Sequence, residues 1–217
     1  MTGRFFTADY VERATLRDGT RVVLRLVTPD DKTLLRDGFE RLSDASRYSR
    51  FLSPKLALSD DELAYLTEID QENHFALGAI HEDAGIGLGV ARFIRLAEDP
   101  TVAEAAVAVA DEMHGRGLGK LLFLRLCAAA SERGIERFRC DVLGSNRHMA
   151  ALLAQISVDR KIEVGEGVMS IDLGLPDVAP DQPWNAPVPQ NPVYGLLRAA
   201  AQNAVEFTES VRNLWRR

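Results

Sequence analysis

The segment His114-Gly115-Arg116-Gly117-Leu118-Gly119-Lys120 constrains this chain more than any other stretch. Upstream, Ala103 to Ala110 is small or β-branched throughout except for Glu104, which is a strand pattern. Downstream, Leu121, Leu122, Leu124, Leu126 and Cys127 open a helical pattern that closes at Gly134. Three glycines two residues apart let the backbone turn tightly and aim several N–H groups at one point, where the next helix adds its positive end. That geometry suits a pyrophosphate. The chain therefore needs a strand–loop–helix unit, and the loop predicts a phosphate-bearing ligand.

Two familiar glycine motifs do not account for it. A dinucleotide fingerprint needs its glycines in the first strand–helix unit and an acidic residue about twenty positions on; here the cluster lies past mid-chain and Arg137 and Arg139 follow. A Walker loop needs GxxxxGK[ST], and Leu121 follows Lys120. A glycine-rich turn that only joins strand to helix is the plain alternative.

The neighbours of the loop are ordered in an informative way. Glu104 begins the preceding strand, Phe138 to Leu143 reads as the next strand, and Asn146 precedes a helix carrying Met149, Leu152 and Leu153. Arg21 to Val27 alternates as an opening strand after the Asp18-Gly19 turn. Thr28-Pro29-Asp30-Asp31 starts a helix to about Leu42, and Ser59-Asp60-Asp61-Glu62 is a capping box that starts another. His74 to Ile80 and Ile86 to Leu96 pair around a turn at Glu82 to Gly85. The first dozen residues are unpatterned and predict a loosely attached start.

Taken together, this order resembles that of the GNAT acyltransferases, over roughly residues 20–173. The loop is similar to their R/Q-x-x-G-x-G/A motif, with Gly117 and Gly119 as the small residues and His114 where the family has Gln or Arg. The resemblance implies an α/β fold with a mixed central sheet flanked by helices, and an acyl-CoA co-substrate such as acetyl-CoA. It also implies that amides and side chains of His114, Gly115, Arg116, Gly117, Leu118, Gly119 and Lys120 hold the pyrophosphate. Val107 and Val109 would pair with the pantetheine arm, an N–H near Val109 would polarise the thioester carbonyl, and Asn146 would bond the pantetheine from the other side. Without the resemblance, Asn146 is a helix N-cap; the two roles are compatible. Glu104 would be the base, and the absence of any tyrosine between Tyr65 and Tyr194 leaves no tyrosine acid there. The segment from Leu42 to Phe51 and the strand Leu88-Gly89-Val90-Ala91-Arg92 are similar to those of bacterial protein lysine acetyltransferases that inactivate acyl-CoA synthetases. Such enzymes often carry a regulatory domain, for which 217 residues leave no room.

Composition narrows the partners. A net charge of −6 argues against nucleic acid and is compatible with a basic, lysine-bearing protein surface. No apolar span reaches the roughly twenty residues of a membrane helix. Cys127 and Cys140 lie in helix and strand patterns, as reduced core residues of a cytoplasmic protein do, and no spacing of His, Cys, Asp and Glu suggests a metal site. His74 and His81 bracket a strand and read as structural or solvated; His148 lies beside Met149, near the expected cofactor. Six of the nine prolines fall between Pro176 and Pro192. The chain thus divides into an acyltransferase domain at 1–175, a proline-rich linker or wrap at 176–192 and an amphipathic helix at 193–217. That helix docks either on its own domain or on another molecule, a second copy in a homodimer or a different protein. Against lysine acylation stand two other functions: acetylation of a small amine, and a non-catalytic acyl-CoA-binding scaffold.

Overall fold

The computed structural model describes residues 4–186. The expected C-terminal helix, the dimer expected through it and the end of the proline-rich segment lie outside the described residues. Within them, eight strands form one sheet: β1 (Val11–Thr15), β2 (Arg21–Leu26), β3 (His74–His81), β4 (Gly87–Arg95), β5 (Val102–Val109), β6 (Arg137–Leu143), β7 (Arg160–Gly165) and β8 (Val168–Gly174). The spatial order is β1-β2-β3-β4-β5-β6-β8-β7. Every neighbouring pair is antiparallel except β5 and β6, which run parallel. Five helices accompany it: α1 (Lys32–Glu40), α2 (Asp44–Phe51), α3 (Asp60–Thr67), α4 (Leu118–Ser131) and α5 (Arg147–Ile156).

The helices lie on both faces, as the alternation of side chains along β4 makes plain. Arg92 reaches the carbonyl of Leu66 in α3, whereas Gly89, three residues away and so on the other face, lies against Leu122 of α4. Helix α4 is hydrophobic nearly all round, with eleven buried residues from Leu118 to Ala130, as befits a helix enclosed by other elements. Its Phe123 meets Phe138 of β6 edge-on at 5.9 Å, and Phe138, Phe93 and Phe75 continue the row at 5.9 and 5.3 Å between centroids.

Several expectations need correction. The first dozen residues are not loose: Phe6 and Tyr10 are buried, and Val11 to Thr15 form β1 on β2. The cause is long-range. Glu132 accepts the N–H groups of Phe5 and Phe6, and Arg133 donates to the carbonyl of Phe6. The helix from Thr28 begins as a 3-10 turn and stops at Glu40, and the polar stretch after it is a helix of its own, α2. After α5 the chain closes with a hairpin, β7 and β8, turned by Glu166 and Gly167 at positive φ.

Candidate acyl-CoA site

Strands β5 and β6 pair only through Val102↔Arg137, Ala103↔Phe138 and Glu104↔Arg139. Beyond that point β5 stays on β4 as far as Val109↔Gly89, and β6 stays on β8 as far as Leu143↔Val168. The two strands part like the arms of a V, and among the described residues no third strand joins their facing edges. Backbone groups on such an edge need partners. The N–H of Ala110 donates to Leu88 in β4 at 2.9 Å; because peptide groups alternate along a strand, those of Val109 and Val107 aim into the gap. An extended, amide-bearing ligand laid there would complete the ladder, as a peptide does at an open sheet edge.

At the tip of the V, the chain after β5 makes a 3-10 turn at Asp111–Met113 and then enters the glycine loop. Gly115 and Gly117 have φ of +75° and +99°, which favours glycine. Gly117 is the N-cap of α4 and offers no side chain to its first turn; the first bond of the helix runs from Leu121 N to Gly117 O at 3.0 Å. The amides of Leu118, Gly119 and Lys120 are thus left without a backbone partner at the positive end of α4, an anion site by construction.

These parts enclose a cleft of about 590 Å³ lined by Val107, Val109, His114, Gly115, Gly117, Gly119, Lys120 and Asn146. Three expected site residues stand apart from its wall. Leu118 is fully buried in the core and can offer only its amide. The guanidinium of Arg116 is bonded to Asp18; hydrogen bonds from Thr20, and then Arg116, hold the Asp18 carboxyl down at about 2. Glu104 is exposed at the last β5–β6 pair before the strands part, and no described residue bonds or pairs with its carboxylate.

Asn146 caps α5, its Oδ1 accepting from Met149 N at 3.0 Å, which leaves its side-chain amide N–H groups facing the cleft. His114 donates from Nε2 to the carbonyl of Val109 at 3.2 Å. A carbonyl only accepts, so the Nε2 proton is assigned by that bond, and the bond steadies the end of β5. Lys120 Nζ donates to the carbonyl of Ala186 at 3.4 Å. His148 stands with its ring 6.4 Å from that of His114.

Some features of the site had no local signal. Trp184 is buried against the glycine loop, and a Cβ at Gly117 would fall 2.6 Å from its Cζ3. Asp111 ties α2 to the end of β5, accepting from Ser43 N at 3.0 Å and Ser46 Oγ at 2.6 Å. Partial burial opposes its charge, but the bonds from Ser43 and Ser46 outweigh this and hold its carboxyl below the usual range. Arg47 of α2 is structural, donating to the carbonyls of Phe39 and Glu40. Burial pushes the thiols of Cys127 and Cys140 well up, which disfavours a thiolate nucleophile. His74 Nε2 faces Arg92 at 3.0 Å and must accept from it; burial, and then that cation, hold the imidazole down at about 4. His81 Nδ1 accepts the amides of Asp83 and Ala84. Among the described residues no group of three or more His, Cys, Asp and Glu is arranged to hold a metal ion, and no helix is long and apolar enough to cross a membrane.

A family model described as the acetyltransferase (GNAT) family matches residues 39–156. This chain belongs to the GNAT family. The chain is 30% identical over 191 residues to acetyltransferase Pat of Mycolicibacterium smegmatis, covering 86% of itself and 56% of that protein. It thus spans little more than half the length of this curated relative. The crystal structure of the GNAT domain of S. lividans PAT superposes with a TM-score of 0.72 at 30% identity, covering 78% of this chain and 99% of that one. An acetyltransferase of Salmonella typhimurium solved with acetyl-CoA shares the GNAT fold, at a TM-score of 0.56 and 17% identity over 76% of this chain and 97% of that one.

Proposed function

We propose that this GNAT protein moves an acetyl group from acetyl-CoA to the side-chain amine of a protein lysine, by direct attack in a ternary complex. The parting of β5 and β6 beside the uncapped N-terminus of α4 carries the proposal. It offers one edge for an extended pantetheine and one set of free amides for a diphosphate, on the wall of one cleft. The donor when bound supplies an activated thioester carbonyl; the protein's residues do the rest. Amides from Gly115 to Lys120 hold the diphosphate, with Lys120 adding charge. Val107 and Val109 pair with the pantetheine arm, and Asn146 donates from the opposite side. The Val109 amide polarises the carbonyl, and the His114 bond to the carbonyl of the following peptide steadies the end of the strand.

A lysine amine has a reference pKa of about 10.4 and must lose a proton before it attacks. Glu104 is our candidate base, because its carboxylate is exposed, free of partners among the described residues and on the strand that leads to Val109. Support for a protein acceptor comes from the similarity of the Leu42–Phe51 segment to lysine acetyltransferases and from kinship with the Pat proteins. Two free, buried cysteines suit a cytoplasmic setting.

Thiol release from acetyl-CoA, followed with lysine peptides and with small amines, tests this. Release with peptides is expected, and Glu104→Gln should cut turnover at least about tenfold, or ~1.4 kcal/mol of barrier, with little change in CoA affinity. Release with small amines alone would defeat the protein acceptor, and acetyl-CoA binding without release on any amine would make the chain a scaffold.

A further inference from the structure

A second cavity, of about 100 Å³, lies between α1–α3 and the sheet. It shares Leu42, Arg50, Ala108 and Val109 with the acyl-CoA cleft. On the function proposed above, it therefore opens where the acyl carbon would sit and leads away beneath the helices. An acetyl group needs room for one methyl beyond that carbon, whereas a single water-sized group needs only roughly 15 Å³. The cavity has room for a longer acyl chain.

Its walls are apolar for most of their extent, with Leu34, Leu35, Phe39 and Leu66 among them. Two guanidinium groups break that surface. Arg92 is 5% exposed, and its Nη1 is bonded only to the Leu66 carbonyl and to His74, at 3.4 and 3.0 Å. Arg50, partly exposed where the cavity meets the cleft, has its guanidinium 5.1 Å from the ring of Phe51 and no hydrogen bond or ion pair among the described residues. Neither has a carboxylate partner among the described residues. Asp31 is the carboxylate in the lining, and both its oxygens are already taken by Arg25. His74, neutral, adds no charge that would balance them. Burial, and then the charge of Arg50, push the Arg92 guanidinium down to about 9, and burial lowers that of Arg50 as well. Two unpaired cations in an apolar enclosure are costly to keep. An anion entering between them would relieve both the desolvation and their mutual repulsion.

We propose that this cavity receives an acyl chain that ends in a carboxylate, so that the enzyme transfers dicarboxylic acyl groups of the succinyl type from their CoA thioesters. The apolar throat takes the methylenes, and Arg50 and Arg92 take the terminal carboxylate through charge-assisted hydrogen bonds. Chemistry at the thioester is unaltered. The bond from amine nitrogen to acyl carbon forms as the carbon–sulfur bond breaks, the amine gives up one proton and CoA leaves as the thiol. The distal carboxylate neither gains nor loses atoms.

Succinyl-CoA and butyryl-CoA make the sharpest pair of probes, since they have the same chain length and differ in the terminal group. With the full chain and a lysine peptide as acceptor, kcat/KM for succinyl-CoA should exceed that for butyryl-CoA at least tenfold. Arg50→Met, which keeps the bulk of the side chain, should lower that ratio at least tenfold while butyryl transfer persists. Arg92→Lys, which keeps a charge in the fold, should lower it less. Titration of both thioesters without acceptor should give the same preference as a ratio of Kd values, whatever the acceptor proves to be. A succinyl-to-butyryl ratio of one or below in binding and transfer overturns the proposal, as does a ratio that survives Arg50→Met. Acetyl transfer without any succinyl preference sinks this inference alone; failure of every acyl-CoA to bind sinks the proposed function with it.

Discussion

The two cavities that meet at Val109 are built from different materials. On the β6 side, the acyl-CoA cleft is a backbone construction: parted strand edges, two glycines at positive φ and the open amides of α4. On the side of α1–α3, the inner cavity is a side-chain construction, with apolar residues from three helices and β4 and two unpaired guanidinium groups. A backbone site tolerates changes of side chain and fails when the backbone is forced elsewhere. A side-chain site behaves in the opposite way and responds to charge and pH.

The largest expected effect follows from forcing the backbone. Gly117→Ala places a Cβ 2.6 Å from Trp184 at a residue with φ +99°, so left-handed strain of roughly 1–2 kcal/mol is joined by overpacking of about 1–3 kcal/mol. Acetyl-CoA affinity should fall at least about tenfold, with a lowered Tm. Gly115→Ala, where nothing stands within 4 Å at φ +75°, should show only the strain. Equal effects of the two in calorimetry and thermal melts would remove Trp184 from the account.

A smaller effect is expected from pH on the other cavity. Burial and Arg92 hold His74 at about 4 in the folded protein, against about 6.5 in an unfolded chain. Below pH 6.5 the unfolded state takes up a proton that the folded state refuses until about pH 4. The stability associated with neutral His74 is therefore complete above pH 6.5 and lost as pH falls towards 4, by about 1 kcal/mol after allowance for solvent at this half-buried ring. Urea midpoints at pH 7.5, 6 and 5 should show the decline, and His74→Gln should flatten it.

The smallest effect tests the backbone character of the cleft from its other end. Because Arg116 is occupied by Asp18, Arg116→Ala should change acetyl-CoA affinity by no more than about threefold, or ~0.7 kcal/mol. A loss of tenfold or more in the same titration would return a side chain to the diphosphate site.

Legibility in the sequence follows the same division. The strand Val102–Val109 and the helix after Gly117 could be read because a strand pattern, a turn and a helical pattern stand in contiguous residues. The Ser59 capping box was legible for the same reason, and forms as expected with Glu62. β1 was not, because what fixes Phe6 just before it is a carboxylate and an arginine more than a hundred residues away. Arg50 and Arg92 gave no signal either: each is an ordinary arginine until α2 and β4 are brought together without an acid between them.

The sequence by itself determined the glycine turn, the strand and helix on either side of it and hence the family, since these rest on backbone preferences that act over a few residues. Only the tertiary structure decided that β5 and β6 part after Glu104, that Arg116 turns to Asp18 while Trp184 covers Gly117, and that two cations share an apolar cavity. Those outcomes depend on strand pairing, burial and charge between residues far apart in the chain, and such terms exist only once the chain has closed on itself.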